Sequence, residues 1–110
     1  MATVLDQLGQ LRPADTDVAV LFSTGASETK IILGLTIANV SGAEAEFRIF
    51  IDSGGSGETE GEAIFWNVPV GAKSSEIDQT KRIVPPNSTV KVRSSVGNAL
   101  TFTADGAVQT

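Results

Sequence analysis

From residue 18 onward apolar and polar positions alternate with a period of two, in short runs rich in Val, Ile, Thr and Phe. Clusters of Gly, Pro, Asn and Ser separate the runs, which is the pattern of half-buried β-strands joined by turns. The first run, Val18 to Ser23, is followed by TGASE. The second, Thr29 to Val40, places Ile31, Leu33, Leu35 and Ile37 on one face, and Asn39, Ser41 and Gly42 mark the turn after it. A third, Glu44 to Asp52, puts Ala45, Phe47, Ile49 and Ile51 on one side and Glu46, Arg48 and Phe50 on the other.

A fourth run covers Glu62 to Val68 and is expected to stop at Pro69. Lys73 to Gln79 reads as a polar edge strand, where Pro and charge are tolerated. Beyond a turn at Pro85, Pro86 and Asn87, the runs Ser88 to Ser95 and Asn98 to Asp105 flank VGN. They read as a closing hairpin, with Val90 and Val92 facing inward opposite Leu100 and Phe102. About seven antiparallel strands, with turns at roughly 8 to 12 residue spacing, predict an all-β fold: a single β-sandwich, immunoglobulin-like or jelly-roll.

The first 17 residues fit neither period. Val4, Leu5, Leu8 and Leu11 lie at helix-compatible spacing, but Gly9 and Pro13 interrupt it. Residues 1–17 are therefore expected as an extended N-terminal arm that packs on something, and residues 18–110 as the sandwich domain.

A chain of 110 residues supports one core, and 41% hydrophobic against 19% charged residues is a globular composition. Eight Lys and Arg against thirteen Asp and Glu give a formal net charge of -5, which repels phosphate backbones and anionic headgroups. Neither nucleic acid nor a membrane is an expected partner. No apolar run reaches the roughly 18 residues of a membrane-spanning helix, and the amino terminus lacks the basic, then apolar, pattern of a targeting signal. Synthesis in a host cytoplasm is the expectation.

With no Cys and no His, thiolate nucleophiles, disulfides, imidazole acid-base chemistry and most zinc sites are absent by inventory. No catalytic residue, cofactor or metal is expected. Asp52, Glu58, Glu60 and Glu62 lie among glycines in one loop, but their spacing is not that of an EF-hand, and a solvated acidic hairpin accounts for them. The same loop's GGSG lacks the Lys of a phosphate cradle. Asn39-Val40-Ser41 and Asn87-Ser88-Thr89 match the glycosylation pattern by chance more readily than by use.

One oddity points outward. Ile32, Phe50, Ile64 and Trp66 alternate away from the faces that their strands bury, so a monomer is expected to expose them as an apolar patch. A register shift, a bulge or coverage by the N-terminal arm is the bland explanation, and a subunit contact is the sharper one. With the arm's Val4, Leu5, Leu8 and Leu11, these four residues form the expected protein interface.

Several segments, in this order, carry a resemblance: an arm ending in Gln10 to Ala14, a first strand VLFSTGA, then LTIANVSGAEAEFRI, FWNVPV and VRSSVGNALTFTADG. Over nearly its full length the chain resembles small β-sandwich virion proteins of tailed bacteriophages. Relatives often carry a Tyr at Phe22, a Pro at Gly25 and Tyr-Tyr at Phe65 and Trp66. The resemblance implies a repeated, non-enzymatic part of a virion. Capsid decoration, or cement, on the capsid surface comes first, with the major capsid protein or other virion proteins as partners and a homo-oligomer, a trimer favoured, as the state. The alternatives are a neck or tail component, or an adhesion or glycan-binding module.

Overall fold

The computed structural model describes residues 3–53 and 62–110. Among the described residues the regular elements are strands: β1 (Thr3–Leu11), β2 (Ala19–Ser23), β3 (Thr29–Asn39), β4 (Ala45–Asp52), β5 (Ala63–Val70), β6 (Ser75–Asp78), β7 (Arg82–Val84), β8 (Thr89–Ser94) and β9 (Leu100–Gln109). They build two antiparallel sheets. The first runs β1-β9-β3, with β6 and β7 sharing the far edge of β3; the second runs β2-β8-β4-β5. This is the all-β sandwich that the alternating pattern predicts, with β6 inside the expected edge strand Lys73 to Gln79 and with β1 and β7 added to the seven expected strands.

The core is what the inner faces share. Leu35, Ile37, Phe102 and Ala104 of the first sheet meet Phe47, Ile49, Val90 and Val92 of the second, all of them buried. Phe47 lies at its centre, edge-on to Phe102 with centroids 6.0 Å apart and tilted against Phe65 at 5.6 Å. Each of the larger side chains contributes roughly 1.5–3 kcal/mol by leaving water.

Five local features depart from the expected pattern. In β3 a bulge between Ile32 and Gly34 shifts the register against β9. Ile32 therefore faces the core before the bulge and Leu35 and Ile37 after it, while Leu33 turns outward, so Ile31, Leu33, Leu35 and Ile37 do not share a face. Gly106, opposite Ile32, permits the close approach, because a Cβ there would collide with the Ile31 carbonyl.

In β5 the strand continues through Pro69 to Val70 instead of stopping. It is an edge strand, where a missing N–H is tolerated, and two register shifts against β4, with Asn67 at φ 52°, reset its faces. β7 is absent from the expected strands because three residues between Lys81 and a Pro pair carry no readable period.

The expected closing hairpin is not one. β8 lies in the second sheet and β9 in the first, so VGN crosses between sheets. Val90 and Val92 still face Leu100 and Phe102, but across the core. At the crossing Asn98 takes φ 58°, and its N–H donates to the Pro13 carbonyl at 2.8 Å.

Residues 3–11 of the segment expected as an arm are β1, which pairs with β9 from Thr3 against Gln109 to Leu11 against Phe102. A bulge near Leu8 turns that side chain into the core, and Gly9 passes so near β2 that a Cβ would come within 2.5 Å of the Leu21 carbonyl oxygen. The helix-like spacing of the leucines is a strand with one residue inserted.

Candidate protein-interaction surface

The two outer faces differ in chemistry. On the second sheet the outward positions include Glu46, Arg48, Phe50 and Asp52 of β4 and Lys91 and Arg93 of β8, with Arg48 directly opposite Arg93 and Phe50 opposite Lys91. Asp52 accepts a hydrogen bond from the Lys91 ammonium at 2.9 Å, with the Asp52 side chain only 2% exposed. Arg48 lies over the Trp66 ring, 3.7 Å from its centroid, and its Nε donates to Asn67 Oδ1 at 2.7 Å. Phe50 meets the same indole edge to face at 6.1 Å. A groove of about 350 Å³ beside them is lined by Thr16, Glu46, Arg48, Asn67, Arg93, Ser94 and Ser95.

The expected apolar patch of Ile32, Phe50, Ile64 and Trp66 is therefore not an open surface. Ile32 is fully buried in the core because of the bulge in β3. Phe50 does lie on the outer side, yet it too is fully buried, set at right angles to the Trp66 ring. Ile64 packs partly buried on the core because the β5 register shifts turn it inward. Trp66 alone of the four remains exposed, at 42%. Of the four N-terminal residues, Leu8 is core, Leu11 packs against it, and Val4 and Leu5 are open to solvent.

The larger exposed apolar surface lies on the first sheet. The ladder registers align Leu5 of β1, Ala107 of β9, Ile31 of β3 and Ile83 of β7 in one row across its outer face. Leu5 is 77% exposed and Ile83 58%, and the exposed Leu33 and Ile77 flank the row on the same side. Sequence reading missed Leu33, Ile77 and Ile83. The bulge inverted the first, and the others sit in short edge strands whose neighbours Glu76, Lys81 and Arg82 mask any period.

Among the described residues no group of three or more His, Cys, Asp or Glu side chains is placed to hold a metal ion. Glu58, Glu60 and the GGSG segment of the acidic loop lie outside the described residues. Asn39 of the first glycosylation match is buried, its side-chain amide donating to the carbonyls of Ala43 and Val70 at 2.8 and 2.9 Å, so that nitrogen is not presented to solvent.

No protein-family model and no curated protein matches the chain. Solved structures do. A chain in the structure of the infectious bursal disease virus Gx strain superimposes with a TM-score of 0.53 at 14% identity, over 98% of this chain and 32% of that one. A chain in the crystal structure of the T13 particle of the same virus gives 0.52 at 13%, over 97% and 29%. The shared feature is the fold. This chain spans about a third of the length of the viral chains that it matches, and at such identity the likeness carries no function with it.

Proposed function

We propose that the chain is a non-enzymatic structural component of a virion, most specifically a decoration, or cement, protein that binds an assembled capsid as an oligomer. The observation that carries this reading is the apolar row on the outer face, exposed at its two ends by Leu5 and Ile83, of a sandwich whose length superimposes on chains of a viral particle. An apolar row of this kind on a folded domain is the signature of a surface made to be covered. The resemblance to tailed-phage virion proteins supports the same role and adds the bacteriophage particle as its setting. Leu5 keeps its place in the proposed interface, joined by Ile77 and Ile83, whereas Val4, paired with the core-packed Val108, points to the other side of the sheet.

The glycan-binding alternative draws on Trp66, but a sugar platform needs a free aromatic face. Here Arg48 covers one face of the indole and Phe50 abuts it. On the second sheet the indole is hemmed by a guanidinium and a phenyl ring rather than presented as a stacking platform.

Quantitative mass spectrometry of gradient-purified particles, produced from the genome that encodes the chain, tests the proposal. A decoration protein is present in a fixed ratio approaching that of the shell subunit, and immunogold label covers the whole head. Absence from the particles contradicts the virion role. A few copies at one vertex or along the tail would contradict decoration and leave the neck or tail alternative.

A further inference from the structure

We infer that the outer face of the first sheet is the docking surface for a second copy of this chain, which packs on it sheet against sheet about a two-fold axis. For its place in a particle the inference rests on the assembly reading above. Its physical basis lies in the sheet itself.

The first argument is charge. At the ladder positions on this side the residues of β1, β9, β3, β6 and β7 are Thr, Gln, Ser, Ala, Gly, Leu and Ile, and Asp105 is the charged exception. The opposite face of the sandwich carries Glu46, Arg48, Asp52, Lys91 and Arg93. Interface centres are depleted of charge in this way. For a chain of net charge -5, two copies approach with least repulsion through the face that bears almost none of that charge.

The second argument is shape. Across the row the side chains run large, small, large, large: Leu5, Ala107, Ile31, Ile83. A two-fold axis parallel to the strands, passing between Ala107 and Ile31, lays Leu5 of one copy on Ile83 of the other and seats each Ile31 over the partner's small Ala107. The same operation carries Asp105 over Gly34 of the second copy, since these two are ladder neighbours, so the face's charge does not meet itself. The self-complementarity comes from the order of residues along the row, which is what an isologous contact requires.

The third argument is area. Four strand positions about 4.8 Å apart and ten residues of about 3.3 Å rise give a flat footprint of roughly 630 Å², which side-chain relief enlarges. A stable pair covers about 800 Å² per partner. The face is of the right size to hold two copies together without another element.

Because the chain has no Cys, the geometry can be tested by cross-linking. Leu5→Cys and Ile83→Cys are made as separate variants of the full chain, both at exposed positions, then mixed and oxidised. The expected result is a covalent dimer in the mixture and little in either variant alone. Light scattering behind size exclusion should show the unmodified chain at twice its monomer mass at micromolar concentration, and Ile83→Glu should weaken that dimer roughly tenfold or more. A monomer throughout, an oligomer untouched by Ile83→Glu, or cross-linking no greater in the mixture than in the single variants overturns the inference. A monomer that still enters particles refutes this surface alone, and a dimer absent from particles refutes the virion reading alone.

Discussion

The side-chain amide of Asn39, at the end of β3 in the first sheet, donates a 2.9 Å hydrogen bond to the carbonyl of Val70, the last residue of β5 in the second. Its other N–H reaches the Ala43 carbonyl at 2.8 Å, and its Oδ1 accepts from the Ser41 backbone N–H at 2.9 Å and from the Ser41 hydroxyl at 2.8 Å. One buried side chain thus ties the two sheets together and shapes the turn that joins β3 to β4. Asn39→Leu keeps the volume and deletes all four bonds, leaving buried carbonyls without this donor. It should cost about 2–4 kcal/mol, read as a lower denaturant midpoint at unchanged m-value.

The Asp52–Lys91 pair makes an asymmetric prediction. Asp52 is 2% exposed and Lys91 19% by side chain, so removing the cation takes the Lys91 charge away from a buried carboxylate, whereas removing the carboxylate leaves an ammonium that water can reach. Lys91→Met should therefore destabilise more than Asp52→Asn, by about 3 kcal/mol against about 1–2. Urea denaturation of the two variants checks the order.

Truncation separates a strand from a loose arm. Removing residues 1–11 would delete Leu8 from the core and bare the edge of β9 along its length. Loss of that one buried leucine alone costs about 2–5 kcal/mol. The truncated chain should melt well below the full chain and aggregate through the exposed strand edge. A truncated sandwich of unchanged melting temperature would show that β1 contributes nothing to the fold.

Trp66 is the single tryptophan, so its emission reports on one place. At 42% exposure, with Arg48 over one face and Phe50 at its edge, it should emit between buried and free indole and be quenched only in part by iodide. Arg48→Ala uncovers that face, and quenching should rise. Stability should fall by about 0.5–1 kcal/mol, the worth of a half-exposed cation–π contact.

Much of the fold was legible because alternation with period two survives wherever a strand is regular. β2, β4 and β8 lie within a residue of their expected bounds, and Phe47, Val90, Val92, Leu100 and Phe102 are core as their parity requires. What was hidden has a common cause. A bulge inserts one residue and inverts every later position, so Ile32 and Leu33 exchange places and β1 imitates helical spacing. Phe50 kept the side its parity gave it, but burial there comes from neighbours such as Trp66 that pattern cannot supply. Sheet membership is equally silent in a local pattern: VGN suits a hairpin and a crossing between sheets alike, and only the global pairing of β9 with β1 and β3 decides it.

The measurement that bears most directly on the virion reading is a cryo-electron-microscopy map of particles from the genome that encodes this chain. The account predicts sandwich-shaped density repeated over the capsid surface, with the outer face of the first sheet, around Leu5, Ile31 and Ile83, buried in a contact. A map that accounts for all surface density without this chain, or that shows the sandwich bound with that face open to solvent, would contradict it.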